Sequence, residues 1–173
     1  MNQNSNRLLE IVSLTKSYCE LCEGALEFSR GEFTDHALNL LPRIYWNFFD
    51  ITMGVSLDED YFYDYVDETL YEDIKHGIAS VMGSADIFLE TFEEDMKYSD
   101  TPISASISEC MADIYQPLFN FVSVVHDSEG AQIEEAFIKC KDDFETYWSQ
   151  TLCNVLKALN NIKYRLSEEE YDE

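Results

Sequence analysis

The sequence predicts an all-α fold, a single-domain helical bundle of five or six helices with a long C-terminal helix. Three observations carry this expectation. Apolar residues recur at spacings of three and four through most of the 173 residues, the repeat of one helix face. Hydrophobic residues make up 46% of the chain and aromatics 14%, enough for a core and unlike a disordered acidic sequence. The last third carries a seam that steps by fours and threes, as a bundle helix does. The domain is expected to span residues 1–166, with 167–173 as an acidic tail.

The first helix is expected over residues 5–28. Leu8, Val12, Thr15, Cys19, Cys22 and Leu26 follow one stripe, and Ser29-Arg30-Gly31 stops it. Cys19 and Cys22 sit on that stripe, so they read as buried core thiols. A structural zinc site would want a second such pair or nearby histidines. With Cys110, Cys140 and Cys153 the cysteines number five, an odd count that suggests free thiols.

A second helix begins near Thr34 as N-cap and carries Phe33, Ala37, Leu40, Leu41, Ile44, Phe48 and Ile51. Pro42 falls inside it, where a kink or a break is expected. Residues 58–73 then hold eight acidic side chains and no basic one, interleaved with Tyr61, Phe62, Tyr63, Tyr65 and Tyr71. Thr69-x-x-Glu72 is a capping-box signal for a helix running to about Met82, with Gly83 ending it. A shorter helix over 84–94 and a loop through Tyr98 and Pro102 follow.

Residues 103–126 form the best-defined helix. At about 100° per residue, Ile103, Ile107, Cys110, Met111, Ile114, Leu118, Phe121 and Val125 share a face. Ala112, Tyr115, Phe119 and Val124 widen it, which makes this helix central. A narrow strip stays polar: Ser106, Glu109, Asp113, Gln116, Asn120 and Ser123. Pro117 is expected to bend the helix. Asp127-Ser128-Glu129-Gly130 forms a turn, and the last helix runs over 131–165, about 50 Å long. Its seam is Ile133, Phe137, Cys140, Phe144, Tyr147, Thr151, Val155, Ala158 and Ile162. The tail at 167–173 holds five acidic residues and is expected to be disordered.

Several segments resemble one family across nearly the whole chain. They are Leu41-Pro42 with the aromatics after it, Asp86 through Phe92, Tyr98-Ser99-Asp100, Ser106-Ile107-Ser108-Glu109 and Ala112 through Gln116. Cys140-Lys141, Phe144, Trp148-Ser149-Gln150 and Asn154 through Leu159 complete the set. The family is an uncharacterised bacterial domain of unknown function, common in Bacteroidetes. The resemblance implies an all-helical single domain and assigns no residue a role.

Charge limits the function more than any motif does. Against 35 acidic side chains stand 11 basic ones, a net charge of −24. Nucleic acid and anionic membrane surfaces repel such a chain, so it works alone, binds cations or meets a basic protein. The best apolar stretch, Leu118 to Val125, is interrupted by Asn120 and Ser123, so no membrane span or signal peptide is expected. A cytoplasmic location follows as an expectation. The reading is a non-catalytic acidic interaction or accessory protein of the bacterial cytosol, without cofactor and with a homodimer as one possible state. Its partner-facing residues are expected to be Tyr61, Tyr63, Asp64, Tyr65, Asp67 and Glu68, because tyrosines and carboxylates together suit a basic surface. The same tyrosines would equally pack onto the bundle.

The alternative is a Mg²⁺-dependent phosphohydrolase. Glu90 and Glu94 are four apart, as are Glu109 and Asp113, so each pair would share a helix face. Two neighbouring helices could then bring four hard oxygen ligands to one Mg²⁺. This resembles the all-α nucleotide pyrophosphohydrolases, although Glu90-x-x-Glu93-Glu94 reverses that family's order of acidic residues. Between Lys97 and Lys139 no Lys or Arg is available to clamp a phosphate chain. On a solvated helix face the same carboxylates need no ligand. His36, His76 and His126 are scattered singly and read as surface histidines.

Overall fold

The computed structural model describes residues 3–53, 64–90 and 103–166. It is a helical bundle carrying one small antiparallel hairpin. The elements are α1 (Gln3–Glu23), a 3₁₀ turn (Ala25–Glu27), α2 (Arg30–Asp50), α3 (Glu68–Met82) and a second 3₁₀ turn (Gly83–Asp86). There follow β1 (Ile87–Glu90), β2 (Ile103–Ser106), α4 (Ile107–Asp127) and α5 (Ile133–Asp143). A π-helical turn (Phe144–Trp148), α6 (Ser149–Asn161) and a final π turn (Ile162–Leu166) continue α5 without a gap. As its wide apolar face dictates, α4 is central and packs against α1, α3, α5 and α6.

Two N-termini lie earlier than the spacing suggested. The α2 N-cap is Ser29, whose hydroxyl accepts from the Glu32 amide at 3.3 Å while the Glu32 carboxylate accepts from the Ser29 amide at 2.9 Å. This capping box moves the start ahead of Thr34, which lies buried inside the helix. Hydrogen bonds from the Ser29 amide and hydroxyl hold the Glu32 carboxyl below its usual range. For α3, Asp67 accepts from the Leu70 amide at 2.8 Å and displaces Thr69 from the cap. Meanwhile α1 stops at Glu23, short of Phe28. Leu26 is therefore left 71% exposed instead of joining the stripe. Cys19 and Cys22 are buried as that stripe requires. Both Pro42 and Pro117 lie within unbroken helices.

The chain from 84 departs most from expectation. In place of a helix it forms a 3₁₀ turn and then β1, paired with β2 in the register Ile87↔Ser106 to Glu90↔Ile103. Ile103 to Ser106 is thus strand, not the first turn of α4. The Ser106 side chain fixes this boundary, because it accepts from the Glu109 amide at 3.2 Å while its own backbone is extended. Four-residue strands are too short for periodicity to distinguish from helix, which is why the sequence pattern misread them.

The C-terminal seam also shifts. Phe137, Cys140 and Phe144 are buried as expected, but Trp148 and Leu152 replace Tyr147 and Thr151 in the core. A π turn holds more residues than an α turn, so the buried positions here fall four apart. Trp148 is fully buried, edge-on to Phe48 at 4.9 Å and Phe144 at 4.7 Å, and its indole N–H donates to the Cys140 carbonyl at 3.2 Å. Tyr147 is turned outward and is 53% exposed.

Candidate functional site

The site starts from one buried carboxylate. Asp86, 8% exposed, ends the 3₁₀ turn and accepts from both the amide (2.8 Å) and the hydroxyl (2.7 Å) of Ser108 in the first turn of α4. A negative group at a helix N-terminus is favoured by the orphan amides there. This contact ties the hairpin to α4, so the end of β1 lies over the α4 N-terminus and α6.

Between them is a cavity of about 450 Å³. Glu90 from β1 and Glu109 and Asp113 from α4 contribute carboxylates to its lining. Ser104, Thr146, Thr151, Gln150 and Asn154 supply hydroxyls and amides, Tyr147 a phenol and Cys110 a thiol. Among the described residues, no Lys, Arg or His lines it. Three of the four carboxylates suspected from the sequence therefore share one cavity, although Glu90 arrives on a strand; Glu94 lies outside the described residues. Among the described residues, no three His, Cys, Asp or Glu side chains form a group that could hold a metal ion.

Asp113 is already engaged by one phenol and neighboured by another. The Tyr71 hydroxyl, reaching across from α3, donates to it at 2.7 Å, and Tyr147 lies beside it in the cavity lining. Burial and then the Asp113 carboxylate raise both phenols, Tyr147 to about 12 and Tyr71 higher. Cys110 is also pushed up to about 12, first by burial and then by the charges of Glu90, Asp113, Glu109 and Asp86. These three groups stay protonated at neutral pH. Tyr71 and Cys110 escaped the sequence reading as site residues because one sat in an acidic stretch and the other on an apolar stripe. Tyr147 escaped because only the π turn takes it off the seam.

Of the suspected partner-facing residues, Asp64, Tyr65, Asp67 and Glu68 do not line this cavity. Tyr61 and Tyr63 are outside the described residues. Tyr65 is stapled to α4, its amide donating to Asn120 at 2.8 Å and its hydroxyl to Asp127 at 2.9 Å. Asp64 accepts from the Val66 amide at 3.3 Å, Asp67 caps α3 and Glu68 is exposed in the first turn of α3. His36, His76 and His126 are all exposed, as their scattering suggested. No helix among the described residues is long and apolar enough to cross a membrane.

The crystal structure of protein BF1032 from Bacteroides fragilis is similar to this fold, with a TM-score of 0.79 and 27% identity over 92% of this chain and 93% of that one. No curated protein matches the sequence. Residues 2–165 match the family described as Domain of unknown function (DUF5063). With an all-helical bundle matched along nearly its whole length, the chain belongs to this DUF5063 family.

Proposed function

We propose that the protein is a non-catalytic interaction module of the bacterial cytosol that receives a basic side chain of a partner protein in the Glu90–Glu109–Asp113 cavity. The observation that carries this reading is a cavity of about 450 Å³ lined by the carboxylates of Glu90, Glu109 and Asp113, with no Lys, Arg or His among the described residues of its lining. An ammonium or guanidinium group about 4 Å from one carboxylate gains roughly 1–4 kcal/mol, depending on local screening. The net charge of −24 steers such a partner inward, and the exposed Tyr147 ring supplies a face for cation–π contact. Cys110, Tyr71 and Tyr147 keep their protons at neutral pH, which favours binding over proton transfer.

A thermal-shift series tests this. Acetyl-Gly-Arg-Gly-Lys-Gly-amide, with NaCl at matched ionic strength as control, should raise the melting temperature. At a hundredfold over its dissociation constant the gain is about 2.7 kcal/mol, a shift of several degrees at this size. Glu109→Gln/Asp113→Asn should abolish it. An equal shift in the double variant refutes the site.

The second reading is a Mg²⁺-dependent phosphohydrolase: Glu90, Glu109 and Asp113 all line one cavity, and a Mg²⁺ ion would have to draw them closer together than they stand. On that reading Mg²⁺ or Mn²⁺, rather than the peptide, gives the shift that Glu109→Gln/Asp113→Asn removes. Homodimerisation has its apolar material at Trp46 and Phe49 on α2, 58% and 60% exposed. Sedimentation of Trp46→Glu against the parent chain reads it directly.

A further inference from the structure

We infer that the corner between α1 and α2 binds a small aromatic amine, its ring on an apolar floor and its ammonium on Glu27. A cavity of about 370 Å³ opens there, at the small end of the roughly 300–1,000 Å³ of ligand pockets. Its floor is Leu21, which is buried, with Phe28 and Leu40, which are half-buried and packed on the core. The Phe28 ring stands tilted against the His36 imidazole, centroids 5.0 Å apart, and forms an aromatic wall. Apolar side chains beneath a few polar groups are what a compact ring with one polar handle requires.

Charge makes that handle a cation. Glu20 and Glu27 both line the cavity, one on each side of Glu23, where α1 ends. A helix C-terminus carries partial negative charge, and the last turn of α1 has no basic residue to offset it. Among the described residues, no Lys or Arg lines the cavity. Lys16 reaches Glu20 at 3.9 Å, with the two side chains 71% and 64% exposed, and such a bridge contributes little. The Glu27 carboxylate has no hydrogen-bond or ion-pair partner among the described residues. An ammonium beside it answers both the carboxylate and the helix end, while the attached ring lies against Phe28. This cavity shares no lining residue with the acidic cavity, so the inference does not depend on what that one receives.

The test titrates the full chain, ¹⁵N-labelled, with phenethylammonium chloride against NaCl at matched ionic strength. Saturable shifts should centre on the amides of residues 17–28 and 36–40. Phenethyl alcohol, which lacks the charge, and butylammonium, which lacks the ring, should each bind at least tenfold more weakly. Glu27→Gln, at an exposed position, should weaken the amine at least tenfold and leave the alcohol unchanged. Absence of saturable shifts at these residues would overturn the site, and so would shifts centred on 104–113 and 146–154, which belong to the acidic cavity. Equal binding of the alcohol, or undiminished amine binding in Glu27→Gln, would overturn the selection for a cation. Equal or tighter binding of acetyl-Gly-Arg-Gly-Lys-Gly-amide at residues 17–28 and 36–40 would overturn the small ligand in favour of a partner's side chain.

Discussion

Replacing Asp86 tests how the site is held together. Its carboxylate accepts two hydrogen bonds from Ser108, at 2.8 and 2.7 Å, in a setting 8% exposed. Hydrogen bonds to a charged group contribute about 1.5–3 kcal/mol each, and a carboxylate at a helix N-terminus adds roughly 0.3–1 kcal/mol. The three terms act on one group and overlap, so Asp86→Ala should cost about 3–5 kcal/mol. At 2–4 °C per kcal/mol for a chain of this size, the melting temperature falls by roughly 6–20 °C. Asp86→Asn keeps one acceptor oxygen and should lose about half as much. Ser108→Ala removes the hydroxyl but leaves the amide bond, a loss of about 1.5–3 kcal/mol. Calorimetry of the three variants gives the order directly, and amide exchange of β1 and β2 should quicken most in Asp86→Ala. A melting temperature for Asp86→Ala within about 2 °C of the parent, or below which Ser108→Ala falls, would refute the carboxylate as the tie between hairpin and α4.

Other consequences follow from the same contacts. Ser29→Ala, which breaks the α2 capping box, should cost about 1 kcal/mol in calorimetry, whereas Thr34→Val should cost nothing or stabilise, because the Thr34 hydroxyl is buried without a partner. Trp148→Ala should cost about 3–5 kcal/mol and is read as a lowered urea midpoint. Burial holds the protons on Cys19, Cys22, Cys110, Cys140 and Tyr18 above their ordinary values, Cys110 at about 12. The unfolded chain loses those protons first, so this stability is intact below about pH 8.5 and lost as pH climbs toward 12. Melting curves across that window should fall with pH, less steeply in Cys110→Ala. Iodoacetamide at pH 8 should modify the exposed Cys153 alone in the native protein and all five thiols in denaturant, counted by intact mass.

Long apolar stripes made the helices legible. Met82 and Gly83 were placed to the residue because a Gly at φ +56 both ends α3 and clears Arg30, whose guanidinium would lie 2.9 Å from a Cβ there. The central role of α4 was equally plain from its wide apolar face. Short-range chemistry was harder to rank: Ser29-x-x-Glu32 and Thr69-x-x-Glu72 carry the same pattern, and only the first forms a capping box. The hairpin was hidden because Ile87–Glu90 and Ile103–Ser106 each offer only four residues. For the site, the i, i+4 spacing of Glu109 and Asp113 puts both on the face of α4 that lines the cavity. What brings Glu90 beside them is a strand register, and what brings Tyr147 is a π turn. Neither leaves a periodic trace in the sequence.

The central claim is that the carboxylates of Glu90, Glu109 and Asp113 receive a cationic group. The most direct measurement is an NMR titration of the ¹⁵N-labelled protein with acetyl-Gly-Arg-Gly-Lys-Gly-amide at fixed ionic strength, following Glu90, Glu109, Asp113 and Tyr147. Saturable shifts at these four residues, lost in Glu109→Gln/Asp113→Asn, are the predicted result. Shifts scattered over the acidic surface, or unchanged in the double variant, would contradict it.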